Sequence, residues 1–365
     1  MNTRNYHIIG VMSGTSLDGI DVAEINLSVS SKPENASNHN THNDTWKFDI
    51  CAAETIQYTW SWKDKLQNAI NFSEENLKQL DISYTKLLAE VILKFIQKHN
   101  VKNIDAVCSH GHTILHQPER GLTYQIGNLP QLARLLNQRV VCNFRVQDVK
   151  LGGQGAPLVP IGDKLLFSDF NFCLNLGGFA NCSFKKNDKR IAFDICPVNI
   201  VLNKYAEKLG FNFDEGGKIA ASGRVDKALL QKLNMLPYYR EKPPKSLGLE
   251  WVKKEVFPLL NASNLLPQDV LRTYTEHIAV QLTNQFKGGD SILITGGGAY
   301  NTFLIERLMH LAAVKVNIPS PKIVEYKEAL IFGLLGVLKL RDEINCLAGV
   351  TGALKDHSSG EIFIP

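Results

Sequence analysis

The sequence predicts a duplicated α/β protein: two domains, each opening on a β-hairpin bent around a glycine turn and continuing in alternating helix and strand. Three observations carry this. The loop Met12-Ser13-Gly14-Thr15-Ser16-Leu17-Asp18-Gly19-Ile20-Asp21 lies between the strand-like runs Tyr6–Val11 and Asp21–Leu27. Gly177-Gly178-Phe179-Ala180 is flanked in the same way by Phe172–Leu176 and Asn181–Phe184. Gly296-Gly297-Gly298 directly follows the apolar run Ile292–Thr295. Together the three turns are far more specific than any one alone. A chain of 365 residues suits two domains of roughly 150–200 residues each. The repeat places a first domain over residues 1–140 and a second over 141–344, leaving the final segment, 345–365, free to pack back on the first.

In chain order, the first hairpin leads into a stretch, Ser28–Asp44, dense in Ser, Asn, His and Lys, which reads as a solvated hairpin tip. A helix is predicted over Ser83–His99, where Leu87/Leu88, Val91/Ile92 and Phe95/Ile96 mark one apolar face. Asp105–Ser109 and Arg139–Phe144 then read as buried strands. The second cycle brings its hairpin, the strand Arg190–Ile195 and a helix predicted to open at Pro197 and stop near Gly210. A helix over Asp269–Phe286, a helix capped by Asn301 and a very apolar helix over Lys327–Arg341 complete the chain.

The first loop carries the clearest chemistry. Small residues let backbone N–H groups converge on an anion with no Cβ in the way, and Thr15 and Ser16 add hydroxyl donors. Asp18 and Asp21 add hard oxygen ligands suited to Mg²⁺. No Lys-Ser or Lys-Thr follows the glycines and the next element is a strand, so this is not a P-loop. Two duplicated domains facing a central cleft would let the first and second hairpin loops hold one nucleotide's phosphates from opposite sides. Gly296-Gly297-Gly298, at a strand's carboxyl end, would meet its adenine or ribose.

Composition excludes several classes. A net charge of +4 without a long basic run argues against nucleic acid, and no apolar run is long enough to span a bilayer. Seven cysteines without paired spacing and the lack of a signal-peptide core fit a cytoplasmic protein with reduced thiols. His110, His112 and His116 mimic a metal site, since residues two apart on a strand share a face, but zinc wants further ligands in defined geometry and none is matched nearby.

Several blocks resemble one family. Ile9–Asp21 is similar to the opening of the anhydro-N-acetylmuramic acid kinases, of the actin/Hsp70/sugar-kinase superfamily. So are Ser109–His116, Gln125–Asn128, Phe144-Arg145 with Gly152–Pro160, Ala220–Gly223, Lys245–Glu250, Gly296–Asn301, Glu328-Ala329 and Val350–Ala353. The resemblance implies two actin-like, ribonuclease H-like domains. It also implies an enzyme that uses ATP, Mg²⁺ and water to open the 1,6-anhydro ring of anhydro-N-acetylmuramic acid and phosphorylate O6, in peptidoglycan recycling, as a homodimer.

By itself Asp194 is a strand-end carboxylate before a helix, a position that equally suits a cap. The resemblance makes it the base that takes a proton from water. It implies that ATP is held by Gly14, Thr15, Ser16, Leu17, Asp18, Gly19, Ile20, Asp21, Gly177, Gly178, Gly296, Gly297 and Gly298, the metal by Asp18 and Asp194, and the sugar by Arg145, His112 and Glu328. Read without it, Glu328 complements a helix dipole and Arg145 is a solvated charge. The family usually has Gln where His112 stands, which argues against a required metal among the histidines. It has Thr, Gly and Gly where this chain has Ile195, Cys196 and Val198, and lost glycines restrict backbone approach to a phosphate. A related amino-sugar kinase with altered substrate, or a weakly active sugar- or nucleotide-binding homologue, therefore stands as the alternative. A chaperone or filament protein of the same fold would need a peptide-binding extension or polymer surfaces that the chain does not display.

Overall fold

The computed structural model describes residues 2–14, 17–31 and 44–365. Its strands are β1 (Asn2–Ser13), β2 (Ile20–Ser31), β3 (Thr45–Ile56), β4 (Ala106–Gln117), β5 (Leu122–Ile126), β6 (Val140–Cys142), β7 (Phe172–Leu176), β8 (Phe179–Lys186), β9 (Lys189–Pro197), β10 (Ser291–Thr295), β11 (Lys315–Asn317) and β12 (Glu361–Phe363). They form two sheets in two compact units: residues 1–166 with 326–365, and residues 167–325.

In the first unit the sheet order is β12-β6-β4-β1-β2-β3, with β5 paired to β4. β1, β2 and β3 form an antiparallel meander, while β4 runs parallel to β1 and β6 parallel to β4. Alternation along β1 covers both faces of this sheet. Ile9 and Val11 join a core with Tyr84, Leu88, Ile92 and Phe95 of the helix Glu74–His99. Gly10 meets the other face so closely that a Cβ would lie 2.2 Å from the Ala329 carbonyl oxygen, and Ile8 and Ile25 pack under Gly333. The helix Pro321–Leu340, broken at Tyr326 (φ −110°, ψ 16°), supplies that covering layer from Tyr326 onward. Its glycines let it approach the strands, as Gly336 does against Cys108.

The second unit repeats the plan in the order β11-β10-β7-β8-β9. β7, β8 and β9 form the antiparallel meander, β10 runs parallel to β7, and β11 parallel to β10. Both sheets thus contain the order 3-2-1-4-5 of the ribonuclease H-like fold, and the expected duplication is present. The core of this unit gathers Leu174, Leu176, Ile195, Cys196 and Val198 with Tyr274 and Ile278 of the helix Pro267–Thr283.

Several boundaries differ from the sequence reading. The helix expected over Ser83–His99 begins at Glu74, after a preceding helix over Trp60–Asn68, because the Ser73 side chain accepts the Asn76 N–H and Glu74 and Glu75 follow in the first turn. Pro197 ends β9, and the next helix spans Asn199–Glu207. The apolar carboxyl-terminal helix begins at Pro321 rather than Lys327. The units divide after Leu166 and Glu325, not at 140/141 and 344/345. The reason is pairing: β6 hydrogen-bonds to β4 and β12 and so carries the following glycine-rich block with the first sheet. Among the described residues no helix is long and apolar enough to cross a membrane.

Candidate active site

In a sheet of this order, loops that follow parallel strands gather at one edge. In the first unit that edge receives the loop after β1, the turn within β4 and the residues after β6. Of the first loop, Thr15 and Ser16 lie outside the described residues. Leu17 has φ 61°, a left-handed conformation uncommon for a residue with a Cβ. Gly19 is pressed against β3, where a Cβ would lie 2.6 Å from the Ile56 carbonyl oxygen. Asp18 is exposed, Gly14 and Leu17 are half-buried, and Ile20 belongs to the core. Asp21 accepts the Thr55 hydroxyl at 2.6 Å.

A buried hydrogen-bond chain backs this loop. The Tyr58 and Tyr84 hydroxyls are 2.5 Å apart, Tyr84 donates to Ser13 Oγ (3.0 Å), and Ser13 donates to the Gly111 carbonyl (2.9 Å). That carbonyl also accepts His110 Nδ1–H at 2.7 Å, while His110 Nε2 faces Arg145 Nε at 2.8 Å. A guanidinium can only donate, so Nε2 carries the lone pair and the tautomer follows from the network. Burial, and secondarily the Arg145 charge, hold the His110 pKa well below its ordinary value, so the ring stays neutral. Arg145 Nη1 donates to the Gly155 carbonyl at 2.6 Å. Two points thus fix the Arg145 fork, with guanidinium N–H groups left over.

Glu328 stands near Arg145. Surrounding protein raises its carboxyl pKa, opposed by the Arg145 and then the Lys327 charge, yet the side chain keeps exposed surface. Its neighbour Lys327 is buried in an ion pair with Asp163 at 2.7 Å.

The histidines divide their work differently from the expectation of a shared face. Gly111 has φ 73°, which breaks the strand alternation between His110 and His112. His112 is buried, 2% exposed, its ring 5.9 Å from that of Tyr84 and 6.4 Å from that of Tyr58. Burial lowers its pKa to about 4. The residue that touches Arg145 is His110, absent from the sequence-derived sugar set. Its signal was the Ser109–His116 block, whose internal glycine reverses the inference from spacing.

In the second unit the same edge receives Gly177-Gly178 after β7, Gly296-Gly297-Gly298 after β10, and the end of β9. Gly296 has φ 81°, and a Cβ there would lie 2.5 Å from Asn175 Oδ1; Gly298 meets Leu176 as closely. The Gly177 and Gly178 carbonyls accept the N–H groups of Asn199, Val198 and Ile200, so the turn caps the next helix with its own backbone. Asp194 sits at a bulge: Ala180 pairs with Cys196 but Asn181 with Asp194, leaving Ile195 as the extra residue. Leu247 N–H donates to Asp194 Oδ2 at 2.8 Å, and the Asp194 N–H donates to the Lys245 carbonyl. Burial raises the Asp194 pKa, and the Leu247 N–H only partly offsets it. Ile195, Cys196 and Val198 are each no more than 1% exposed, in the hydrophobic core. The departures from the resembled family therefore alter packing behind Asp194 rather than side chains on the open edge.

The structure thus brings Arg145 and Glu328 together with His110 in the first unit, and Asp194 with the two glycine turns at one sheet edge in the second. Asp18 and Asp194, expected to share a metal, belong to different units.

Comparison with known proteins supplies the family. The model of the anhydro-N-acetylmuramic acid kinases matches residues 6–365. The kinase of that name from Pseudomonas syringae pv. syringae is 36% identical over 323 residues, 84% of each chain. That from Sulfurimonas denitrificans is 31% identical over 97% of this chain and 98% of its own, and that from Francisella tularensis subsp. novicida 33% over 98% of each. Among solved structures, component A of the (R)-2-hydroxyglutaryl-CoA dehydratase of Acidaminococcus fermentans aligns over 92% of this chain and 99% of its own, at 13% identity and a TM-score of 0.46, too low to argue from. The chain belongs to the anhydro-N-acetylmuramic acid kinase family.

Proposed function

We propose that this chain uses ATP and water to open the 1,6-anhydro ring of anhydro-N-acetylmuramic acid and transfers the γ-phosphoryl group to O6, giving N-acetylmuramic acid 6-phosphate for cell-wall recycling. The names of its relatives favour this over an amino-sugar kinase of altered substrate or a weakly active homologue. The observation that carries the mechanism is Asp194. Its carboxyl is desolvated at a bulge, one oxygen is held by a single backbone N–H, and its raised pKa makes it a better proton acceptor than an ordinary aspartate.

Asp194 takes a proton from water as the water oxygen attacks the anomeric carbon. The C1–O6 bond breaks on the opposite side, as in inverting glycoside hydrolysis. O6 then accepts the γ-phosphoryl group, so no separate acid protonates it. The transfer itself depends on positioning and charge neutralisation. Arg145, aimed by neutral His110 and the Gly155 carbonyl, binds a carboxylate or ring oxygen of the sugar with its remaining donors. Glu328 accepts a sugar hydroxyl, and His112 backs the sugar site. The loop Gly14–Asp21, including Thr15 and Ser16, with Gly177-Gly178 and Gly296–Gly298, holds the nucleotide.

Exposed Asp18 in the first unit and the second Asp194 oxygen in the second are each hard donors of the kind Mg²⁺ prefers, so either residue suits that ion. Bound there with ATP, it would neutralise phosphate charge. A cytoplasmic homodimer completes the reading; light scattering on the purified chain tests the assembly.

The deciding experiment is ATP consumption with a panel of anhydro and reducing amino sugars, in ¹⁸O-water, with mass spectrometry of the products. The expected result is turnover with the anhydro sugar and label on C1. Label in phosphate alone means simple ATP hydrolysis and overturns the reading.

A further inference from the structure

We propose that Asp148, Cys346 and His357 form a buried site for a zinc-class divalent cation, separate from the catalytic residues. Among the described residues this is the group of three or more His, Cys, Asp or Glu side chains whose donor atoms lie within 4.8 Å of one another. All three are buried, at 0%, 1% and 5% exposure. Asp148 Oδ1 lies 3.0 Å from Cys346 Sγ and 3.7 Å from His357 Nε2. Donors on a tetrahedral zinc, with bonds of about 2.0–2.3 Å, are about 3.3–3.6 Å apart, so each observed separation lies within about 0.5 Å of that geometry.

The fold builds the site from three directions. Cys346 and His357 exchange both backbone hydrogen bonds as an antiparallel bridge, which sets them directly opposite each other. Asp148 comes from the short helix Val146–Lys150, and its other oxygen accepts the Gly155 N–H at 2.7 Å. The Thr351 hydroxyl donates to Oδ1 at 2.7 Å, orienting the carboxylate as outer partners of metal ligands do.

The second, independent observation is His357. Its Nδ1 is 3.1 Å from the Lys355 carbonyl, which places the proton there and leaves a lone pair on Nε2. That Nε2 is buried and has no hydrogen-bond partner. An orphaned imidazole nitrogen aimed at a thiol and a carboxylate is costly without a ligand. A set of one sulfur, one nitrogen and one oxygen suits zinc or a similar borderline cation and not Mg²⁺ or Ca²⁺. On binding, the Cys346 thiol gives its proton to solvent and coordinates as thiolate, the carboxylate and neutral imidazole bind as they stand, and water takes the fourth position. The ion would tie the carboxyl-terminal segment to the block whose Gly155 carbonyl holds Arg145.

The test uses the full chain, stripped with chelator, reloaded with zinc or Co²⁺ and dialysed. The expected result is one metal ion per chain by mass spectrometry, a thiolate-to-cobalt charge-transfer band, and a higher melting temperature with metal. Cys346→Ser should abolish the band, and His357→Gln should weaken metal binding at least about tenfold. Metal held by the nucleotide-site carboxylates would give no sulfur band, so the two sites are distinguishable. No retained metal, retained metal without the band, or a full band in Cys346→Ser overturns the proposal. Should Cys346→Ser fail to fold, the zinc-dependent melting shift decides: present in the unmodified chain and lost in His357→Gln it supports the site, and equal in both it refutes it.

Discussion

The two units share one strand order, yet their first hairpin turns are held in opposite ways. The second turn, Gly177-Gly178, is locked: its carbonyls take the first N–H groups of the helix Asn199–Glu207. Among the described residues, no helix start hydrogen-bonds to the first turn. It carries Leu17 at φ 61°, a long 3.4 Å hydrogen bond from Leu17 N–H to the Gly14 carbonyl, and Gly19 wedged on Ile56. A duplicated sheet therefore supplies two equivalent positions, and local backbone bonding decides what each can offer. The helix start after β9 is already satisfied and is no bare anion site, so on the function proposed above the chemistry of that edge falls to Asp194. On the same proposal the first edge serves recognition, through a loop with Leu17 in the left-handed region and an arginine fixed at two points.

The most severe way to break this contrast is Asp194→Asn. If the second edge carries the chemistry, turnover falls at least about a hundredfold. The melting temperature should hold or rise, because the change removes a desolvated charge that only one backbone N–H compensates. Near-normal turnover would remove Asp194 from the mechanism. In the unmodified enzyme, a base with a raised pKa must lose its proton at higher pH than an ordinary aspartate, about 3.9. The acid limb of kcat against pH should therefore lie above that value, and a limb at the ordinary value would contradict the geometry.

Arg145→Lys probes the first edge. An ammonium cannot reproduce the fork that meets His110 Nε2 and the Gly155 carbonyl together. The expected effect is a rise in sugar KM of about ten- to thirtyfold, the scale of one charged hydrogen bond of about 1.5–2 kcal/mol, with a smaller change in kcat. A change confined to kcat would move Arg145 out of the recognition role.

Paired glycine substitutions compare the turns directly. Gly19→Ala drives a Cβ into the Ile56 backbone and should cost about 1–3 kcal/mol in urea unfolding. At Gly177 the nearest atom would be the side-chain amide of Asn175 at 3.3 Å, which can move, and Ala should cost less than about 1 kcal/mol. Equal costs would mean the turns are held alike.

The smallest expected effect concerns His112. Its folded pKa, about 4, lies below the ordinary 6.5, so the unfolded chain takes up this proton first. Stability from the neutral ring is complete above pH 6.5 and is lost as pH falls toward about 4. His112→Gln should flatten that limb of melting temperature against pH, and an unchanged slope would assign the loss to other groups.

Much of this was legible in the chain. Apolar-rich runs flanking the Gly14–Gly19 and Gly177-Gly178 turns announced both hairpins, because strand composition and glycine turns are local properties. Asn301 was readable as a cap, and its side chain accepts the Leu304 N–H. The helix start was misread where the cap at Ser73 preceded the apolar face. His110 and His112 were misread because period-2 holds only for regular strand, and Gly111 at φ 73° interrupts it.

What the sequence determined by itself was the set of local elements, their order and the family blocks, all encoded by near neighbours. Tertiary structure decided which distant groups meet. The N–H that holds Asp194 comes from Leu247, 53 positions along, and Asp148 meets Cys346 across 198. The departures at Ile195, Cys196 and Val198 were placed in the core by burial, not by any property of the three residues alone. Periodicity and turn chemistry act over a few residues. Desolvation, hydrogen-bond satisfaction and close packing depend on every element that folds against a site, so they exist only once the chain has closed on itself.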